Sequence, residues 1–268
     1  MNSETRVDAV SASEAGPVDV APPGCAVADG LPAPVADARW FYPSADLRSA
    51  LRVSTANVVE LAESNTATVE QFPDSSYVPA MQLSGGTQLE QPSLSADGAS
   101  YVGIRVTGSD RVFAAGTRMM GTYPFTAPTQ IHVLDSGLEF YPAAGDLVSP
   151  PTQTMPRRMV LRRTSQVVEL EESAVGWNVV RKSIPTELGA IAVRDASLSS
   201  DGLALTLVAD VAQGPGGHVL RAVRTELADS FGDAAEIYAI PSLLAGGYAT
   251  ANCDALLYRV GTVVKLVR

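Results

Sequence analysis

Apolar positions along the chain fall in short runs separated by turn-forming residues, with no sustained helical period. The segments Ser100–Val106, Leu203–Ala209 and Ala255–Val260 each read as a strand, and each is followed by a loop and a second strand, at Arg111–Ala115, His218–Val223 and Thr262–Val267. Before each first strand the chain reaches an Asp-centred turn, where Asp can accept bonds from the backbone and a following Gly supplies a positive φ. Gly-rich stretches such as 213–217 suit hairpin connections. Strands alternating with turns predict an all-β chain and argue against an α/β fold.

The pattern repeats. Pro92-Ser-Leu-Ser-Ala-Asp-Gly98 matches Ala196-Ser-Leu-Ser-Ser-Asp-Gly202, and Phe41-Tyr-Pro-Ser-Ala-Asp-Leu47 matches Phe140-Tyr-Pro-Ala-Ala-Gly-Asp-Leu147. Val58-Val-Glu-Leu-Ala-Glu-Ser64 matches Val167-Val-Glu-Leu-Glu-Glu-Ser173, and Tyr248-Ala-Thr-Ala-Asn-Cys-Asp254 is a weaker last copy. Alignment on Pro43, Pro92, Pro142, Ala196 and Ala249 gives spacings of 49, 50, 54 and 53 residues. Three or four strands in about fifty residues is the size of one propeller blade. The expected blades are 39–88, 89–135, 136–190, 191–240 and 241–268.

Repeats of the form Pro-x-Leu-Ser-x-Asp-Gly-x-x-Leu-x-Leu, then a Gly-rich loop, then Val-Leu-x-Ala-x-Arg, resemble the TolB-type, WD-repeat-like propeller family, best over residues 195–224. The resemblance implies a single five-bladed β-propeller and a fold shared by proteins of many roles, including secreted and lipid-anchored proteins of myxobacteria-like organisms; it implies no reaction. Blades one and three depart from it, since Asp46 and Asp146 lack the following Gly and residues 149–158 read as a long loop.

Closure of such a ring matters because an open one exposes strand edges. The last copy lacks the outer segment that the others carry, and Leu31-Pro-Ala-Pro-Val-Ala-Asp37 resembles that segment. The expectation is that residues 31–37 supply the outer strand of the last blade. Cys25 and Cys253 would then lie near each other, and a disulfide between them would clamp the ring. The alternative is a core Cys253 and a free Cys25 thiol.

Net charge of −10 argues against nucleic acid and anionic membrane surfaces, both of which call for clustered cations. The longest apolar runs are far below the span of a membrane helix. Residues 1–24, rich in Ala, Ser, Pro, Asp and Val, read as a flexible tether of the kind that follows a lipid anchor. This favours an extracytoplasmic place, periplasmic, surface-anchored or secreted; the alternative is an ordinary disordered start of a cytoplasmic protein.

Candidate chemistry is sparse. The two histidines, His132 and His218, fall in expected strands with no motif that supports a Ser-His-Asp triad, and the chain shows no zinc, phosphate-loop, dinucleotide or EF-hand spacing. No residue is therefore assigned a catalytic, metal or cofactor role. Asp97, Asp201 and Asp254, with Asp46 and Asp146, could be the axial carboxylates of a glycoside hydrolase. Their recurrence at one motif position instead favours turn structure, with Gly98 and Gly202 as partners. Trp40, Phe41, Tyr42, Phe140, Tyr141 and Trp177 could stack on sugar, though recurring Phe-Tyr-Pro favours packing. Function is better sought where the repeat fails, at Trp177 and in the loop Pro150–Arg158 with Arg157 and Arg158. The reading that results is a non-enzymatic binding or scaffold propeller for a protein or glycan; the alternatives are a structural subunit of an assembly and a hydrolase.

Overall fold

The computed structural model describes residues 33–37, 40–43, 49–53, 58–63, 77–83, 86–95, 97–119, 124–163, 166–211, 217–240, 246–249, 256–260 and 263–267. The expected tether, both cysteines, Asp46 and Asp254 lie outside them.

The described chain is all β apart from one 3-10 turn at Pro185–Leu188, and its strands pair into five sheets in a β-propeller arrangement. β1 (Ala33–Asp37) comes first in sequence. β2 (Trp40–Pro43), β3 (Ser49–Val53), β4 (Val58–Glu63) and β5 (Val78–Gln82) form one antiparallel meander. β6 (Thr87–Leu94), β7 (Ser100–Thr107), β8 (Asp110–Thr117) and the two-residue β9 (Thr129–Gln130) form the next.

The third sheet has six strands. Its meander is β12 (Leu147–Val148), β13 (Arg158–Arg163), β14 (Gln166–Ser173) and β15 (Gly176–Ser183). On its outer edge lies a small hairpin, β10 (Val133–Asp135) and β11 (Leu138–Glu139), with β10 parallel to β15. The fourth sheet is β16 (Ala192–Leu198), β17 (Ala204–Asp210), β18 (Gly217–Val223) and β19 (Ala235–Ile240). In the fifth, β20 (Gly246–Ala249), β21 (Leu256–Val260) and β22 (Val263–Val267) are followed by β1, which pairs antiparallel with β22.

Six consecutive buried residues open both β17 and β18. Successive side chains point to opposite faces of a sheet, so such a run requires both faces to be covered. The core meets this demand by lying between sheets. Leu51, Leu61 and Met81 pack with Leu89, Leu94 and Tyr101. Val102, Ile104 and Phe113 pack with Met159, Leu161 and Leu170. Val160 and Val167 pack with Leu198, Leu205 and Leu207. The first strands lie innermost, β6 beside β12, β12 beside β16 and β16 beside β20.

Strand register defines the repeat. The last pair between first and second strands is Pro43 with Ala50, Leu94 with Tyr101, Val148 with Leu161, Leu198 with Leu205, and Ala249 with Leu256. These positions are 51, 54, 50 and 51 residues apart, and in sequence a hydroxyl residue follows each: Ser44, Ser95, Ser149, Ser199 and Thr250.

The alignment on Pro142 is thereby corrected. Trp40–Pro43 is a strand, but Phe140-Tyr-Pro142 belongs to the connection ahead of β12. Asp146 precedes β12 and does not sit in its turn; it is 3% exposed and accepts bonds from the Ala143 N–H (2.8 Å) and Arg163 Nε (3.0 Å). The true equivalent of Ser95 is Ser149. His132 likewise lies between β9 and β10, outside either strand.

Candidate functional site

First and third strands of a meander run the same way, so their ends share one face of the molecule, here termed the turn face. The two Asp-Gly turns on it are built alike. Asp97 Oδ1 accepts from Ser95 Oγ (2.6 Å) and the Ala99 N–H (3.0 Å), and the Ser100 N–H donates to Ser95 Oγ (2.9 Å). In the fourth sheet Asp201 Oδ1 accepts from Ser199 Oγ and the Leu203 N–H (3.0 Å), and the Ala204 N–H donates to Ser199 Oγ (2.9 Å). Gly98 and Gly202 hold φ of +69° and +75°, the left-handed region a side chain resists. Burial opposes ionisation of Asp97, but the bonds from Ser95 and Ala99 and the field of Arg157 outweigh it and hold its pKa below the ordinary value. With these bonds made, each carboxylate closes its own turn.

An arginine leaving the third strand locks each turn. Arg118 Nε donates to the Gly98 carbonyl (2.8 Å) and Arg224 Nε to the Gly202 carbonyl (3.0 Å). Each then reaches the preceding sheet, Arg118 pairing with Glu63 (2.5 Å) and Arg224 with Glu169 (2.7 Å). Phe125 and Phe231 lie under the two guanidinium groups, at 5.4 and 4.3 Å.

The third sheet breaks this scheme. Twelve residues separate Val148 from Leu161, where the other four connections hold six. Ser149 keeps its role, since Val160 N–H donates to its Oγ (2.9 Å), but an insertion replaces the Asp-Gly turn. The insertion is pinned along its length. Gln153 N–H donates to the Ser200 carbonyl (2.8 Å) and Thr154 Oγ1 to the Asp201 carbonyl (3.1 Å). At its far end Glu172 N–H donates to the Arg157 carbonyl (2.8 Å), and Arg157 Nε returns a bond to Glu172 (2.7 Å). This bond to Glu172 raises the pKa of Arg157 further above its already high ordinary value. Between the pinned ends Met155 stands 74% exposed. Met155, Arg157, Glu172, Ser173 and Ala174 line a shallow depression of about 620 Å³.

The three residues singled out for binding thus part company. Arg157 faces the depression. Its neighbour Arg158 begins β13, points the opposite way and is buried, pairing with Glu169 (2.8 Å) and with Glu171 and donating to the Leu227 carbonyl (2.7 Å). Trp177 is 5% exposed in the core beside Ile104, Phe113 and Leu170. Alternation along a strand separates Arg157 from Arg158, a signal available once the start of β13 is known. Sequence reasoning missed Glu169, which lies 3% exposed among Arg158, Arg181 and Arg224. Its counterpart Glu60 pairs with one arginine, Arg52 (2.7 Å).

The histidines lie apart. His132 Nδ1 is 3.0 Å from Glu139 on the exposed hairpin, and the buried His218 Nδ1 is 2.6 Å from Glu236. Among the described residues no group of three or more His, Cys, Asp or Glu side chains is placed to hold a metal ion. No described helix is long and apolar enough to cross a membrane.

No protein-family model matches the chain, and no curated protein matches it in sequence. Among solved structures it is similar to TolB from Acinetobacter baumannii, with 11% identity and a TM-score of 0.50 over 85% of this chain and 53% of that one. It also matches a chain of the Mitotic Checkpoint Complex, with 9% identity and a TM-score of 0.45 over 99% of each chain. The chain thus spans about half the length of TolB, and at this identity the likeness is one of fold.

Proposed function

We propose that this chain is a non-enzymatic binding or scaffold propeller that works outside the cytoplasm and holds a partner protein on its turn face. The observation that carries the reading is the insertion before Leu161, pinned at one end to the Asp-Gly turn of the fourth sheet and at the other to Glu172 of β14, and presenting Met155 beside Arg157. A tip fixed in advance loses little conformational freedom on docking. The extracytoplasmic part of the reading draws on the composition of residues 1–24. The test places a photo-crosslinking residue at 155 and, as control, at Ser109 between β7 and β8 on the opposite face. Expression in the source cell should give a discrete protein adduct from position 155 alone. Equal labelling from both positions, or labelling from neither, overturns the reading; a periodate-sensitive adduct in place of a protein band moves it to a glycan.

The finer architecture belongs to the same proposal. The five sheets are read as five blades of one ring, with β1 as the outer strand of the last blade, a reading supported by the antiparallel pairing of β1 with β22. Removal of residues 1–38 should lower the unfolding midpoint relative to removal of residues 1–24, and an unchanged midpoint would count against it. The clamp between Cys25 and Cys253 is tested by alkylation and mass measurement without reductant, where two modified thiols in the native protein would exclude it.

A further inference from the structure

The turn face sorts its charges by depth. Glu63, Asp97, Asp201, Glu226, Asp229 and Asp233 all lie exposed at the ends of first strands, at the ends of third strands or in the connections leading from them. Arg118, Arg158 and Arg224 lie beneath, with side chains exposed by 1%, 10% and 0%, while Arg181, bonded to the Ala228 and Asp229 carbonyls, is 23% exposed. Arg157 reaches the surface, and there Glu172 engages it through two bonds. On the opposite face Lys182 and Arg194 are 39% and 37% exposed, each paired with a carboxylate, Asp135 and Asp210. The buried arginines are spent on carbonyls and acids within the fold, while carboxylates with free edges meet the solvent. With exposed carboxylates outnumbering exposed guanidinium groups there, the charge presented above the turn face is negative. Within that field sit the apolar Met155, in the depression, and Val175, 72% exposed next to its Ala174 wall.

From the depression, its apolar tip and the charges around it, we propose that the turn face takes a basic segment of a partner protein, with an apolar side chain seated against Met155 and flanking Lys or Arg side chains over the carboxylates. This rests on the binding reading above and specifies its partner. Charge would speed and orient the encounter, and the pinned Met155 would supply the anchor. Methionine suits such an anchor, since its unbranched thioether adapts to the shape presented.

The test uses the full chain labelled with ¹³C at methionine methyls and three blocked Gly/Ser-spaced peptides: Leu between two Lys, Leu between two Glu, and Ser between two Lys. The Leu/Lys peptide should shift the Met155 methyl signal, identified by its loss in Met155→Leu, and leave those of the buried Met81 and Met159 in place. Its affinity should fall at least about fivefold between low salt and ~0.2 M salt. It should also fall at least about threefold in Glu226→Lys/Asp233→Lys, two exposed sites whose side chains tie down nothing in the fold. Equal or tighter binding of the Leu/Glu peptide overturns the basic-partner proposal and leaves the docking reading standing. Equal binding of the Ser/Lys peptide reduces the effect to attraction without a seat and likewise overturns it. A discrete protein adduct at position 155 with no response to any of the peptides overturns the proposal alone, whereas absence of both removes the docking reading with it.

Discussion

Arg224 and Glu169 form a two-bond pair across adjacent sheets, with Nη2 to Oε1 at 2.7 Å and Nη1 to Oε2 at 3.1 Å. The same guanidinium donates to the carbonyl of Gly202, at 3.0 Å from Nε and 2.7 Å from Nη2. One side chain therefore ties the turn of its own sheet to the third strand of the preceding one. Arg158 joins from β13 and Arg181 from β15, and both also bond carbonyls of the connection between β18 and β19. Three cations converge on one buried carboxylate, which makes Glu169 the residue whose charge the interface can least lose.

Glu169→Gln keeps the shape and removes that charge. Buried Arg158 and Arg224 would then repel each other with less compensation, at a cost of about 3 kcal/mol. The midpoint of urea unfolding should fall with little change in slope, whereas Glu60→Gln, which faces a single arginine, should cost less than half as much. Equal effects at the two sites would refute the idea of a hub.

The two Asp-Gly turns should behave as independent copies. Asp97→Ala and Asp201→Ala each remove an acceptor from a serine hydroxyl and a backbone N–H, and each should cost roughly 1–2 kcal/mol, with the double variant close to the sum. Asp97 adds a pH signature. Its pKa is lower folded than unfolded, so its contribution is complete above the ordinary value of 3.8 and is lost as pH falls through the folded-state value. The stability gap between the native chain and Asp97→Asn should stay level near neutrality and narrow in strong acid. A gap that widens on acidification would reverse the sign assigned here.

Most strands were legible because their runs are long enough for alternation and composition to speak: Ser100–Val106 is observed as Ser100–Thr107, and His218–Val223 as Gly217–Val223. The third sheet was misread for a physical reason. Phe140-Tyr-Pro142 copies the residue types of Phe41-Tyr-Pro43 without their register, and register is fixed by backbone pairing, with Ser149 answering to Ser95. The hairpin of β10 and β11 was anticipated only as a strand around His132, one residue before β10, since strands of three and two residues carry no period. At the candidate site the insertion was visible as Pro150–Arg158. What could not be read was that its two arginines face opposite ways and that Trp177 lies inside.

Gly116 offers a steric test of the core between the first two sheets. A Cβ there would lie 2.5 Å from Tyr101 Cε1 and 2.7 Å from the Thr126 carbonyl oxygen. Tyr101 is fully buried and packed edge-on against Phe125 at 5.2 Å, so the ring has nowhere to yield. Gly116→Ala should cost about 2–3 kcal/mol by overpacking. Gly108→Ala, where φ is +63° and nothing lies within 4 Å, should cost only about 1 kcal/mol from backbone strain. Thermal unfolding of the two variants side by side decides it, and a smaller effect at Gly116 would show that the core can reorganise around Tyr101.

Gly176 tests the joint between the hairpin and the third sheet. Its φ of +140° favours glycine, and a Cβ would lie 2.5 Å from the carbonyl oxygen of His132. That carbonyl accepts the Trp177 N–H (2.8 Å), the bond that begins the parallel pairing of β10 with β15. Gly176→Ala must push the carbonyl away, because the clashing oxygen is backbone and the added Cβ is fixed in place by its own Cα. The hairpin should detach locally while the meander of β12 to β15, paired through its own ladders, persists. Amide exchange should therefore accelerate at Trp177 and Phe140, whose N–H groups bond His132 and Val133, and stay slow at Leu161 and Val168 in the sheet interior. Uniform acceleration across the sheet would mean that the hairpin is integral to it, and no acceleration would mean that the backbone at His132 can shift without losing the joint.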